Sequence, residues 1–468
     1  MDSIFVYPEL FWISLIILCS VIFFGWTHRE TGWGIPLATV CVTVIAWYHG
    51  DAVYNDYQNH HRSLFEEKYL DLSWLQIGLF GISLAFLTPS MHKIINGKLL
   101  NRRSLISDFL AGNQGLKSLQ PIISYSMKAT LSIWALITCI GIARVQSEVV
   151  AMYFPYLAGY RVTPWGRGRL GSGFDAVLSL FQFLDMFCLA SFGVIAAVST
   201  QSATQRLAMG LMLLTWPNYL FDRTRNQMIA IALPCILAFV FIRLNSRTFL
   251  QIATIVISFL TIDLWFRYVL ANRTETSMAA IFMQEEKSVA QKHLGLNMFE
   301  ELTWVNSLTG TGQYEPNWGG RYFAEIVNFI PRSLWPEKPM VGIDYAVARG
   351  FSGGSEGTGV TTTIATGMIG QGVVNFGSWL GPFFAAFLMS IWVAVLARFD
   401  LNATTTWSLI LYGMGIVLTF NMGRDITLLV LYPVLFGYLA IQFYSWIFPL
   451  VGTSFNRREA SMKSKTYQ

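Results

Sequence analysis

Long uninterrupted apolar runs constrain the fold of this chain more than any other feature of its sequence. A run of roughly 17–25 apolar residues is long enough to cross the hydrocarbon core of a bilayer as one helix. Only 13% of the 468 residues are charged, whereas soluble proteins carry about 25%. We therefore predict an all-α polytopic membrane protein with about 11 transmembrane helices, within a range of 10–12. The predicted spans are approximately 10–26, 33–49, 71–89, 121–147, 174–199, 207–221, 228–243, 248–270, 372–398, 406–421 and 426–449.

One long polar interval interrupts this series of spans and divides the chain. Because it lies between two apolar parts, we expect it to form a single extracytoplasmic loop with interfacial helices. The predicted parts are transmembrane helices 1–8 in residues 1–270, the loop in 271–371, transmembrane helices 9–11 in 372–449, and a basic cytoplasmic tail in 450–468.

The distribution of Lys and Arg sets the predicted orientation, because cytoplasmic loops are enriched in both residues. With the N-terminus outside, 15 of these residues fall on the inner side of the predicted spans and 10 in the short outer segments. Long loops carry little weight in this rule, so the seven cations of 271–371 are left out. We therefore predict a cytoplasmic C-terminus, with the long loop on the outer side.

Several short outer segments contain arginine, although such segments normally avoid cations. A guanidinium group binds phosphate through two parallel hydrogen bonds. If these turns converge, their side chains form a cationic rim that can hold a diphosphate group at the outer surface. Snorkelling towards phospholipid headgroups is the alternative interpretation of each residue. The candidates for the rim are Arg161, Arg167, Arg169, Arg223, Arg225 and Arg424, together with Arg332 and Lys338 of the long loop.

Composition and residue spacing disfavour several classes of function. The five cysteines all lie in apolar runs, with no spacing typical of a zinc site or a disulfide framework. The only basic tract is the short tail RREASMKSK, so nucleic acid is not an expected partner. No aspartate-rich metal motif is present, and we predict neither a metal site nor a cofactor.

The segment IPRSLWPEKP (330–339) combines three prolines with charged and aromatic side chains. Proline fixes φ, so Trp335 and Lys338 are expected on a stiff backbone. Trp335 can then anchor in the membrane interface or stack on a sugar ring.

The preceding stretch, RYFAEIVNFI (321–330), places Tyr322, Phe323, Ile326, Val327 and Ile330 on one side of a helix, with Arg321 and Glu325 elsewhere. This spacing predicts a short helix that lies in the membrane interface and ends at the first proline.

Two further parts of the long interval have open interpretations. In the acidic stretch 284–302, Glu300 and Glu301 are either a carboxylate pair or the solvated face of a helix. The residues near 360–371 are either loop or a re-entrant segment that enters the membrane without crossing it.

Four patches, in this order along the chain, resemble a known family. They are TRNQMIAI (224–231), IPRSLWPEKP (330–339), TTIATGMIGQGVVNFG (362–377) and GRD (423–425). The chain thereby resembles the bacterial oligosaccharide repeat-unit polymerases of the O-antigen polymerase (Wzy) type. Within the second patch, the residues that match the family pattern are Ile330, Pro331, Leu334, Trp335, Pro336, Lys338 and Pro339.

The resemblance implies a glycosyltransferase of the bacterial inner membrane, similar in architecture to the C-type glycosyltransferases and O-antigen ligases, with its active site on the periplasmic side. Donor and acceptor would be undecaprenyl-pyrophosphate-linked oligosaccharides, and membrane lipids and a chain-length regulator are the further expected partners. Either Glu325 or Asp344 would take the proton of the acceptor hydroxyl. The catalytic candidates are Arg225, Arg424, Arg332, Lys338, Glu325 and Asp344, and the substrate-binding candidates are Arg223, Trp335, Tyr322, Arg161 and Arg321.

Three other functions remain open at this stage. An O-antigen ligase would transfer the finished glycan to another acceptor by similar chemistry. A flippase of lipid-linked sugars is expected to show inverted repeats and a charged central cavity. An ion or solute permease would rest on the intramembrane charges Asp185 and Lys128, which the sequence allows to pair.

Overall fold

The computed structural model describes most of the chain, and every regular element within the described residues is a helix. The described residues are 7–110, 120–158, 160, 162–165, 178–220, 225–244, 247–271, 297–328, 330, 334–339, 342–350, 364–402 and 406–447.

The helices that carry the architecture are numbered in chain order. They are α1 (Glu9–Thr27), α2 (Gly34–Val44), α3 (Glu67–Asn96), α4 (Gln120–Val145), α5 (Phe181–Val198), α6 (Ser202–Leu220), α7 (Arg225–Ala238), α8 (Thr248–Ala271), α9 (Met298–Gly310), α10 (Gly320–Val327), α11 (Ile343–Ala348), α12 (Gly367–Leu401), α13 (Thr406–Met422) and α14 (Leu428–Ile447). Short helical segments occupy Arg29–Thr31, Ile45–His49, Gly50–Tyr54, Tyr57–His61, Arg62–Leu64, Gly97–Leu99, Leu105–Leu110, Gln146–Glu148, Val149–Tyr153, Pro155–Ala158 and Phe239–Arg243.

The surface of the helices indicates a membrane-embedded protein. Among the described residues, six helices are long and apolar enough to cross a membrane, namely α1, α3, α4, α5, α12 and α14, and α7, α8 and α13 contain shorter apolar segments. Large apolar side chains such as Phe86, Phe249 and Trp446 are exposed on these helices, and surfaces of this kind need a non-aqueous neighbour. The prediction of an all-helical membrane protein is confirmed. The count of 11 spans and their orientation stay predictions.

The core of the bundle lies between α3 and α12, which pack against each other more extensively than any other described pair. Trp74 and Phe80 of α3 are fully buried there. The ring of Trp74 stacks on Phe299 of α9, with ring centroids 4.0 Å apart. Helix α9 is therefore part of the same core.

The burial of α9 changes the interpretation of the long interval, which the sequence predicts to be a loop. Gln76 of α3 donates a hydrogen bond to Asn306 of α9 over 2.9 Å, and Asn306 donates back to Gln76 over 2.8 Å and to Ser73 over 3.0 Å. Reciprocal amide bonds of this kind satisfy polar groups that would otherwise be unfavourable in an apolar interior. This network fixes the first described part of the interval inside the bundle.

Helix α12 begins at Gly367 and is broken at Gly377, where φ is +78° and ψ is 175°. A Cβ atom on Gly372 would overlap the carbonyl group of Gly381, which lies nine residues further along. In a straight helix two residues so spaced would be about 13 Å apart, at 1.5 Å per residue. The short part before Gly377 therefore folds back against the longer part. Of the stretch that the sequence left open near 360–371, the described residues 364–366 lead into this short buried helix and 367–371 form its beginning.

We expect the substitution Gly372→Ala to destabilise the protein by about 1–3 kcal/mol, because the added methyl group forces the two parts of α12 apart. The midpoint of thermal unfolding in detergent measures this effect. Gly413→Ala is the matched control, since a Cβ on that helical glycine meets no atom within 4 Å. The control should unfold at the same or a higher temperature, as alanine favours helix. Equal midpoints for Gly372→Ala and wild type would contradict the close packing.

Candidate functional site

The turn between α13 and α14 forms the floor of the candidate site. It docks on the first turn of α12, where helix N–H groups lack partners within their own helix. Gly367 donates to the carbonyl oxygen of Arg424 over 2.9 Å, and Met368 donates to that of Gly423 over 3.1 Å. The side chain of Gln371 accepts from the backbone N–H of Ile426 over 2.8 Å. These bonds hold the turn, and the acid within it, in one position.

Helix α10 brings a buried cation onto this turn. Arg321 is 2% exposed, and its Nη2 donates to Oδ2 of Asp425 over 2.9 Å and to the carbonyl oxygen of Ile364 over 3.2 Å. Gly342 has a φ of +67°, and a Cβ there would lie 3.3 Å from the guanidinium carbon. A larger residue at this position would therefore press on the guanidinium group as well as adopt an unfavourable backbone conformation.

Glu325 lies one helical turn after Arg321 and faces the same way. It is 5% exposed, and its Oε2 has no hydrogen-bond partner among the described residues. Burial raises the pKa of Glu325 to about 7, the negative charge of Asp425 adds to the increase, and Arg321 opposes it. The carboxyl group can therefore both hold and release a proton near neutral pH. We refer to Arg321, Tyr322, Glu325 and Asp425 as the Arg321–Asp425 cluster.

Unpaired polar atoms are concentrated around this cluster. Buried polar groups in proteins nearly always have a partner, so a local group of exceptions marks a place where water, an ion or a polar ligand can supply the missing partners. The Tyr432 hydroxyl of α14 is one of them, and it lies within the electrostatic influence of Glu325. The buried atoms here with no protein partner are Nε and Nη1 of Arg321, the Tyr322 hydroxyl, Oε2 of Glu325, Nε2 of Gln371, Oδ1 of Asp425 and the Tyr432 hydroxyl.

The charge of the cluster suits a hydroxyl-bearing ligand better than an anion. Burial lowers the pKa of Arg321, but the neighbouring carboxylates, above all that of Asp425, raise it by more, so the guanidinium stays charged. Its charge is offset by Asp425, and Glu325 adds a second carboxyl. The cluster can accept hydrogen bonds from hydroxyl groups and remove a proton, while an anion would meet its carboxylates.

The structure brings together three residues that the sequence predicted separately, namely Arg321, Tyr322 and Glu325. The predicted catalytic residue Arg424 lies beside them in the turn, with an exposed side chain. Asp344, the other candidate base, is exposed and accepts a hydrogen bond from Tyr314 over 2.7 Å. That bond leaves Asp344 at the edge of the cluster, on the side of α11.

Lys338 and Trp335 hold the proline-rich segment against α10. The ammonium group of Lys338 donates to the carbonyl oxygens of Asn328 and Ile330, each over 2.7 Å. Asn328 caps the C-terminal end of α10, where a cation is favourable, and Ile330 lies just beyond it. The ring of Trp335 meets that of Phe323 edge to face, at 6.4 Å between centroids. The stiff segment that the prolines predict is thus attached to the helix that carries Glu325.

The remaining predicted residues lie outside what the structure describes. Arg225 begins α7, and its side chain is not among the described atoms. Arg161, Arg223 and Arg332, and with them the wider cationic rim, fall outside the described residues and stay predictions.

Two acidic residues of α9, Glu300 and Glu301, attach α11 to the helix bundle. Glu301 is buried, accepts a hydrogen bond from Tyr345 over 2.8 Å and pairs with Arg349 at 3.2 Å. The guanidinium of Arg349 also lies 4.0 Å above the ring of Trp304. The interpretation of Glu301 as part of a solvated helix face was wrong, because the sequence does not show that α11 covers it.

The charges proposed for a permease do not pair with each other. Asp185 accepts a hydrogen bond from the hydroxyl of Tyr219 over 2.8 Å, whereas Lys128 is exposed. Asp185 lines a small cavity with Trp165 and Tyr153. The carboxyl is therefore satisfied by neighbouring helices without a cation.

Sequence reasoning missed Asp425, Gln371 and Tyr432 as site residues. Asp425 belongs to the GRD patch, in which the arginine was predicted to be the functional residue. The signal that could have identified Asp425 is an acidic residue in a short turn between two apolar runs. Gln371 and Tyr432 are single polar groups in apolar surroundings, and no local spacing distinguishes them. Comparisons with known proteins add no relative, since no family model, curated protein or solved structure matches the chain.

We expect Glu325→Gln to remove a pH dependence of stability. The folded carboxyl keeps its proton to about pH 7, whereas the unfolded one releases it near its ordinary value of 4.5. Between these values the folded state binds more protons, so the free energy of unfolding falls as pH rises. Relative to Glu325→Gln, the wild type should lose on the order of 3 kcal/mol between pH 4.5 and pH 7. Thermal unfolding in detergent across this range measures the difference.

Glu337→Gln is the control for this comparison, because Glu337 is an exposed carboxyl of the same loop. Its unfolding curve should follow the wild type at every pH. Parallel pH profiles for wild type and Glu325→Gln would contradict the raised pKa.

We further expect Arg321→Met and Asp425→Leu each to destabilise the protein by about 3–5 kcal/mol, because each leaves a buried charge without its partner. The double variant should lose much less than the sum of the two. A double-mutant cycle on unfolding free energies measures the coupling. The same cycle on the exposed pair Arg62–Glu67, which is equally short at 2.8 Å, should give a far smaller coupling. Additive effects of Arg321→Met and Asp425→Leu would contradict the expected coupling.

Proposed function

We propose that this chain is a membrane glycosyltransferase that polymerises undecaprenyl-pyrophosphate-linked oligosaccharide repeat units into O-antigen or a related surface polysaccharide. The observation that carries the proposal is Glu325, a buried carboxyl with an unpaired oxygen and a pKa near 7. It lies on the helix that precedes IPRSLWPEKP, one of the four patches on which the resemblance to the polymerases rests.

The proposed reaction assigns the proton transfer to Glu325. The hydroxyl oxygen of the acceptor's terminal sugar forms a bond to the anomeric carbon of the donor glycan, and the bond from that carbon to pyrophosphate breaks. The hydroxyl proton goes to Glu325, and undecaprenyl pyrophosphate leaves. A base works best when its pKa lies near the operating pH, and the buried environment of Glu325 supplies that match. Asp344 lacks this buried environment, since it is exposed and accepts a hydrogen bond from Tyr314.

Arg321 and Tyr322 act in this proposal by positioning and by binding the acceptor. Arg321 forms an ion pair with Asp425, and its positive charge offsets the negative charge that Glu325 carries when ionised. Its two nitrogens without a described partner can donate hydrogen bonds to sugar hydroxyl groups. Tyr322 offers a buried hydroxyl for the same purpose. Trp335, on the stiff segment that Lys338 holds in place, can stack on a sugar ring.

Arg424 is the best-placed group for the leaving pyrophosphate. It lies in the turn between α13 and α14 that forms the floor of the site, and unlike Arg321 it is exposed. A cation in place before the reaction stabilises the negative charge that builds as the anomeric bond breaks. Arg225, Arg223, Arg332 and Arg161 complete the proposed rim. The site would lie at the periplasmic face of the bacterial inner membrane, with a cytoplasmic C-terminus.

The proposal is tested by extension of a defined lipid-linked repeat unit by the purified protein. Wild type should give a ladder of products, and its rate should fall below about pH 7, where Glu325 is protonated. Glu325→Gln should lower the rate by a factor on the order of 10²–10⁴. Arg424→Ala should lower it by a factor on the order of 10²–10³.

Two controls separate these losses from general damage. Glu337→Gln removes an exposed carboxyl of the same loop, and Arg206→Ala removes an exposed arginine at the start of α6. Both should extend glycans as the wild type does. Full ladders from Glu325→Gln and Arg424→Ala would overturn the proposal. A ligase would instead transfer the glycan only to another acceptor, and a flippase would form no glycosidic bond at all.

A further inference from the structure

Helix α10 presents its charged side chains to the protein and two large apolar side chains to the outside. Arg321 and Glu325 are buried, whereas Phe323 and Ile326 are 52% and 55% exposed. An amphipathic helix on a water-facing surface has the opposite arrangement, with its apolar stripe turned inward. The outward side of α10 is therefore expected to contact an apolar environment.

The proline-rich segment extends this apolar surface. Leu334 is 78% exposed, and the next residue, Trp335, contacts Phe323 through its ring. Lys338, the nearest described cation of the segment, has its ammonium group turned inward onto two carbonyl oxygens. We call Phe323, Ile326 and Leu334 the outward apolar face.

The outward apolar face adjoins a helix that is long and apolar enough to span the membrane. The ring of Tyr322 lies 6.2 Å from that of Phe376 in α12, and a Cβ on Gly319 would lie 3.5 Å from the same ring. Directly after the break at Gly377, Trp379 of α12 is exposed and lies within the candidate span Met368–Leu401. Helix α10 thus packs directly against a candidate membrane span.

Trp318 supplies an independent indication. Its φ is +52°, a conformation that bulky side chains avoid, and its ring is 74% exposed. Backbone strain of this kind persists where the surroundings impose it for a function. Tryptophan is the residue that concentrates at the level of lipid headgroups.

We infer that α10 and the segment around Leu334 are seated in the bilayer, with the outward apolar face against lipid hydrocarbon and Trp318 at headgroup level. Lipid, rather than a partner protein, is the occupant because α10 packs on a candidate membrane span whose own exposed side chains, such as Trp379 and Phe383, are large and apolar. The Arg321–Asp425 cluster then lies directly behind a membrane-inserted helix. A substrate that arrives within the bilayer reaches it without leaving the membrane.

Spin-label accessibility tests this inference without any assay of activity. p-Acetylphenylalanine replaces Phe323, Ile326 or Leu334, one position at a time, and its ketone is coupled to a nitroxide spin label. The five native cysteines are then not needed for labelling and stay in place. The protein is reconstituted in nanodiscs of phosphatidylcholine and phosphatidylglycerol. Collisions with molecular oxygen, which partitions into lipid, are compared with collisions with a water-soluble nickel chelate.

Two reference positions calibrate the measurement. Phe86 of α3 is exposed on a candidate membrane span, and Glu337 is an exposed charged residue of the loop. Labels on the outward apolar face should resemble the one at Phe86, with nickel accessibility several-fold lower than at Glu337 and oxygen accessibility higher. Nickel accessibility equal to that at Glu337 would place the face in water and overturn the inference. Low accessibility to both reagents would mean that protein covers the face, which also overturns it.

Discussion

The buried ion pair between Arg321 and Asp425 joins two parts of the chain that are 104 residues apart. A buried charge is tolerated only when its partner and its remaining hydrogen bonds are in place, so the pair fixes α10 on the turn between α13 and α14. That turn is itself held by the first N–H groups of α12. The position of Glu325, the course of the proline-rich segment and the direction in which α10 turns its apolar side chains all follow from this one contact.

The same burial that makes the pair necessary gives the site its chemistry. Burial and the charge of Asp425 raise the pKa of Glu325 to about 7. A carboxyl that would be fully ionised in water at this pH can therefore take up and release a proton near neutral pH. The cluster is more acidic than the cationic rim that the sequence suggested. In the proposed reaction, acceptor activation and leaving-group stabilisation therefore belong to different residues, with Glu325 serving the first and the exposed Arg424 the second.

Local pattern predicted part of this site, and it failed where side chains meet over long distances. The apolar spacing of α10 and the prolines after it were sufficient to predict a helix that stops before a stiff segment. Arg321, Tyr322 and Glu325 became candidates in that way. Asp425 and Gln371 were missed, and a solvated face was one interpretation of Glu301, because each is defined by a partner in a distant segment. These partners are Arg321, the N–H of Ile426, and Tyr345.

The sequence by itself determined that the chain is helical and membrane-embedded, because the length of an apolar run and the satisfaction of backbone hydrogen bonds within a helix are local properties. It also determined where the long polar interval lies. Only the tertiary structure decided that α9 enters the core, that α12 folds back at Gly377, and that α10 turns its charges inward. These outcomes depend on which groups from distant segments can pair as water is excluded, and the period of an amphipathic helix is the same whichever face the rest of the protein covers.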